Sequence, residues 1–160
     1  MVNETSPSEY VNLRLVGDVV GPDFVEFLQD SQSWCSTALL VHSASMRLSD
    51  KGQAFTAGLE RFQLEVRDEE EWPGTRLFGH TRPVYRFRLD GPSADYLSRS
   101  ASSLLSLKPP DRLEDLCLLR PDGSAWLGSV THERDAWLQL KNDEFSKLCE
   151  KAPSWFERFS

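Results

Sequence analysis

The chain has 160 residues, a formal charge of -7 and a sequence pI near 5.0, with 39% apolar, 11% aromatic and 27% charged residues. This is the composition of one globular domain with enough apolar surface for a core, which excludes disordered and collagenous classes. Its longest apolar run, Ala38 to Val41, is four residues, against the roughly 20 that a membrane-spanning helix needs.

The polar, acidic start from Met1 to Glu9 is the reverse of a basic segment followed by an apolar one, so no secretory signal and a cytoplasmic location are expected. Cys35, Cys117 and Cys149 are odd in number and far apart, which argues against a disulfide framework or a zinc knuckle. Each has apolar neighbours and reads as a small buried hydrophobe.

In chain order, Val11, Leu13 and Leu15 alternate with polar residues as a strand does. Pro22 then opens a short helix with Phe24, Phe27 and Leu28 on one face, and Trp34 to Val41 is a second strand. Ser49 caps a helix over Asp50 to Leu59. Alternation returns from Arg61, with Phe62, Leu64 and Val66 opposite Gln63, Glu65 and Arg67, and its antiparallel partner is Arg82 to Leu89. The stretch from Asp68 to Thr81 between them reads as a long exposed loop. Ser93 caps a helix whose stripe is Leu97, Ala101, Leu104 and Leu105, stopped by Pro109-Pro110. A hairpin follows across Pro121-Asp122-Gly123-Ser124, then a strand with Ala136, Leu138 and Leu140, and a closing helix that Asn142 caps and that runs through Lys151. A Trp155-Phe156-Glu157-Arg158-Phe159 tail closes the chain.

The order predicts a single α+β domain over residues 1–160, a mainly antiparallel sheet with helices packed on one face. Phe27, Leu28, Leu97, Leu104, Leu105, Phe145 and Leu148 should pack on the strands. A split into subdomains near Gly91 is the alternative.

Nucleotide motifs rich in glycine and a nucleophile elbow are absent from the sequence. The histidines His42, His80 and His132 lie at no metal-ligand spacing, and no metal or cofactor is expected. Residues 101–160 carry 8 basic and 10 acidic groups, residues 61–100 carry 7 of each, and residues 1–60 carry 3 and 8. No segment concentrates the basic charge that nucleic-acid binding needs. Arg76, Arg82, Arg86 and Arg88 alternate with Tyr85 and Phe87, which fits a solvated strand face paired with the acids of its neighbour.

The most distinctive local feature is Asp68-Glu69-Glu70-Glu71 followed by Trp72. Carboxylates beside an aromatic suit docking to a basic partner, with the acids steering encounter and the ring as anchor. The expected function is therefore a protein-binding module, an inhibitor or immunity-type protein that neutralises a basic protein. Its contacts would be Glu69, Glu70, Glu71 and Trp72, with Asp18 and Asp23 as further candidates. Its similarity to small immunity-type inhibitors is one of size and charge and is carried by no motif. Two alternatives stand beside it. One is a small enzyme using His132 or His80 with Glu133, Asp135 and an arginine such as Arg82. The other is a homo-oligomer joined through Trp137, Trp155 and Phe159.

Overall fold

In the computed structural model residues 9–43 and 46–160 are described; the polar stretch from Met1 to Ser8 lies outside them. The strands are Tyr10–Arg14 (β1), Thr37–Val41 (β2), Gln63–Glu69 (β3), Glu71–Trp72 (β4), Thr75–Arg76 (β5), Arg82–Arg88 (β6), Glu114–Leu119 (β7), Ala125–Val130 (β8) and Asp135–Lys141 (β9). The helices are Pro22–Ser31 (α1), Asp50–Leu59 (α2), Gly91–Ser100 (α3) and Asn142–Lys151 (α4).

Seven strands form one sheet in the order β1-β9-β8-β7-β2-β6-β3, every neighbouring pair antiparallel. Strands from both sides of Gly91 are interleaved in it. The molecule is thus a single α+β domain. One face is covered by the helices: Phe24, Phe27 and Leu28 of α1, Phe55 and Leu59 of α2, Leu97 of α3 and Leu148 of α4 are buried against Ala38, Leu40, Phe87, Leu118 and Leu138. Each large side chain removed from water in this way contributes about 1.5–3 kcal/mol. Leu104 and Leu105 are buried as expected and Phe145 is half-buried.

The C-terminal aromatics complete this core. Phe27 lies edge-on to Trp155 with ring centroids 5.0 Å apart, and Trp126 is 5.6 Å from Phe27. The last residue exchanges backbone hydrogen bonds with Arg14, at 2.8 and 2.9 Å, so the tail covers the end of the β1 edge. Trp155 and Phe159 are buried and Trp137 is packed elsewhere, so the three do not make an exposed oligomer interface.

The sheet's second face is where sequence reading departs most from the structure. Residues 70–77 do not stand free of the sheet; they form a flap that folds across this face, with Trp72 buried beneath it and Glu70, Glu71 and Arg76 exposed. β4 and β5 pair as a short ribbon, and Leu77 N–H donates to the Glu70 carbonyl at 2.7 Å. Trp72 is only 5% exposed and packs with Leu39, Val41, Val84, Cys117 and Leu119. Close approach needs glycine at the flap's turn. A Cβ on Gly74 (φ 87°) would stand 2.2 Å from the Trp137 ring, and one on Gly128 2.3 Å from it. Burying the Trp72 ring takes about 150–250 Å² of mostly apolar surface out of water, which favours a flap laid on the sheet.

Other boundaries move for local reasons. α3 begins at Gly91 because Asp90, not Ser93, is its cap: Asp90 Oδ1 accepts from Ser93 N–H at 3.0 Å, and Ser93 Oγ accepts from Asp90 N–H at 2.9 Å. It stops at Ser100, since Ser103 caps a separate turn over Leu104–Ser106. β2 starts at Thr37, with Trp34 in the turn after α1 stacked on Trp126. At the start of α4 the Glu144 carboxylate accepts from Lys141 N–H at 2.8 Å, which puts the cap one residue before Asn142. Cys35 and Cys117 are buried, and burial pushes both thiols up to about 12. Cys149 is exposed, because it falls on the outer side of α4. Among the described residues no helix is long and apolar enough to cross a membrane.

Candidate functional site

Where the flap meets the sheet lies a cleft of about 430 Å³, lined by Trp72, Leu77, Arg82, Glu114, Asp115 and His132 among others. Its chemistry depends on an irregularity in β7. Between the pairs Leu39↔Cys117 and Val41↔Glu114, β2 advances by two residues and β7 by three. The extra residue makes a β-bulge, and Asp115 sits in it with a left-handed φ of 58°, a conformation that Asp tolerates better than most side chains. In a regular strand adjacent side chains point to opposite faces; a bulge re-aims one of them. Glu114 and Asp115 therefore both reach the cleft.

Asp115 is held from several sides. Its Oδ1 accepts from Thr131 N–H at 2.9 Å, its Oδ2 accepts from Trp72 Nε1–H at 3.1 Å, and its own N–H donates to Thr131 Oγ1 at 3.0 Å. The carboxylate thus pins the flap to the sheet. Glu114 beside it is pushed above the usual carboxylate range, first by burial and then by the Asp115 charge, against the opposing pull of His132, Arg82 and a hydrogen bond from Ser43. Arg82 Nη1 in turn donates to Ser43 Oγ at 3.4 Å.

His132 enters from the short turn Thr131–Glu133 that joins β8 to β9. One ligand atom from each of Glu114, Asp115 and His132 lies within 4.8 Å of the others. Two carboxylates and an imidazole are donors that suit a divalent transition ion.

The residues expected from sequence are divided by the fold. His132 and Arg82 share the cleft. Glu133 is outside its lining, with its carboxylate 3.9 Å from His132 Nε2 and both side chains exposed. His80 is exposed, its Nδ1 3.2 Å from the Phe78 carbonyl oxygen. Asp135 pairs with Arg14 at 3.0 Å.

Of the acidic run, Glu69 is engaged by both terminal nitrogens of Arg86, as expected for a basic strand face paired with its neighbour. Asp68, Glu70 and Glu71 are exposed. Trp72, buried and bonded to Asp115, is not an exposed anchor. The exposed aromatic of this region is Phe78, 79% accessible, just beyond the flap, with the Arg76 guanidinium 5.4 Å from its ring. Asp18 caps the backbone, accepting from Val19 N–H at 2.7 Å and Leu105 N–H at 3.1 Å, and Asp23 sits in the first turn of α1, where a carboxylate favours the helix. Asp18 follows β1 at one edge of the sheet, and the acidic run begins in β3 at the other.

Glu114, Asp115 and Phe78 went unread in the sequence. A signal for the first two was present, since two acids opening the apolar strand Leu116 to Leu119 must be paired or facing water. Comparison with protein-family models, with curated proteins and with solved structures finds no match to this chain.

Proposed function

We propose that the protein is a binding module for a basic protein, of the inhibitor or immunity type, which docks its partner on the flap and the loop that follows it. The observation that carries this reading is Phe78, a large aromatic left 79% exposed just after Leu77, whose N–H is bonded to the Glu70 carbonyl, in the same segment as the exposed Asp68, Glu70 and Glu71. An aromatic inserted in a partner's pocket supplies most of the binding energy, and the surrounding charges set the rate and the choice of partner. The buried Trp72 holds the platform and Phe78 makes the contact.

Capture of a basic protein by the immobilised chain at low and high salt tests this. Added salt should weaken capture, because it screens attraction between exposed charges. Asp68→Lys/Glu70→Lys/Glu71→Lys should abolish it at physiological salt, and Phe78→Ser should weaken it by about 30-fold, the cost of removing a hot spot of about 2 kcal/mol. Equal capture by both variants would refute the reading.

The meeting of Glu114, Asp115 and His132 favours a second reading, the cleft as an ion-dependent site of a small enzyme, with Arg82 as the cation beside it. Calorimetric titration with Mn²⁺, an ion suited to carboxylate oxygens rather than thiols, should then show one ion bound per chain. His132→Ala, an exposed position, should weaken binding by at least about tenfold, as loss of a metal-site residue does. No heat of binding in the parent protein would remove this reading.

A further inference from the structure

β3 is an edge strand, and among the described residues no strand pairs with its outer side. Its apolar side chains are poorly covered: Leu64 is 54% and Val66 38% exposed. Proteins usually blunt such an edge, because open N–H and C=O groups with apolar side chains invite another strand.

The backbone fixes which residues offer those groups. His42 N–H donates to the Pro83 carbonyl at 3.0 Å, so Pro83 turns toward β2 and Val84 toward β3. Arg67, opposite Val84, therefore bonds inward. By the alternation of antiparallel ladders, Val66 and Asp68 turn their N–H and C=O groups outward.

We infer that β3 pairs antiparallel with β3 of a second copy of this chain, about a two-fold axis at Val66. In a self-pairing, outward residues must meet outward residues, so the axis falls between Glu65 and Asp68, and an axis at Glu65 sets Glu65 against its own copy. An axis at Arg67 sets Arg67 against its own copy. An axis at Asp68 sets Asp68 against its own copy and Arg67 against Glu69, both of whose oxygens are already taken by Arg86. Only the axis at Val66 sets Arg67 against Glu65 of the second copy, twice by symmetry, with the Val66 side chains in contact. Within one chain Arg67 and Glu65 already meet at 2.9 Å, so the dimer would join two such pairs into a ring of alternating charge. A self-complementary patch of this kind is what a two-fold interface requires. The bulge between Gln63 and Glu65 keeps the straight edge short, and the dimer is weak and concentration-dependent. This inference goes beyond the flap reading and does not depend on it.

Sedimentation velocity over a concentration series tests it, with unchanged thermal melting as the check on folding. The parent chain should pass from monomer to dimer. Arg67→Glu, which turns attraction into repulsion at both symmetric positions, should weaken the dimer by about fourfold or more, since each cross-strand charge pair is worth about 0.2–1 kcal/mol. Glu65→Arg/Arg67→Glu, which exchanges the charges, should restore it. A monomer at every concentration, a dimer indifferent to Arg67→Glu, or an edge that takes only a strand from a different protein would overturn self-pairing.

Discussion

Replacing Arg120 by Met is expected to cost about 3–5 kcal/mol, the penalty for leaving one charge of a buried ion pair without its partner. Arg120 and Glu144 side chains are each only 4% exposed. The guanidinium donates to both Glu144 oxygens, at 2.9 and 2.5 Å, to the Gln139 carbonyl at 2.5 Å and to the Ala125 carbonyl at 2.9 Å. It therefore ties the end of β7 to β8, β9 and the start of α4. Without it the Glu144 carboxylate keeps the Lys141 N–H but loses its counter-charge, and two strand carbonyls lose donors. Urea denaturation should show the midpoint falling by a large fraction of a stability that for a domain is typically about 5–15 kcal/mol. The double variant Arg120→Met/Glu144→Met should recover part of the loss, because the stranded charge is then gone. A single variant within about 1 kcal/mol of the parent, far below the usual cost of breaking a buried pair, would show that water reaches the pair.

The second large effect is expected at Asp115. Asp115→Ala leaves Trp72 Nε1–H and Thr131 N–H without acceptors, at about 1–3 kcal/mol for each buried group, and places Ala in a left-handed conformation at about 1–2 kcal/mol more. Asp115→Asn should be milder. It tolerates the conformation and retains one acceptor, but its amide meets a donor at the second position. Hydrogen exchange should locate the damage. Amides of residues 70–77 should lose protection in Asp115→Ala, while those of β1 and β9 retain it until global unfolding. Equal loss everywhere would mean that the flap is no separate unit and that Asp115 serves the whole core.

Both sites show how far the sequence could be read. The helix-side core was legible because Phe27, Leu28, Leu97 and Leu148 recur at helical spacing, and the β3–β6 pairing because both strands alternate. Periodicity reports which face is buried but not what covers it. The flap's burial rests on Trp72 finding Asp115, 43 residues away, and on two glycines that admit Trp137. The Arg120–Glu144 pair likewise joins residues 24 apart. Glu114 and Asp115 share a cleft only because of a bulge, and no local pattern distinguishes that bulge from regular alternation. The acidic run was legible as a feature. Its division into Glu69 tied to Arg86, a buried Trp72 and an exposed Phe78 is a product of tertiary packing.

The central claim is that the flap and the loop after it form the partner surface. Hydrogen exchange of the full chain, alone and bound to the basic protein that it captures, tests this most directly. The account predicts slowed exchange over residues 68–81, centred on Phe78, with the helix face unchanged. Protection confined to α1, α3 and α4, with residues 68–81 exchanging as in the free protein, would contradict it and move the partner to the opposite side of the molecule.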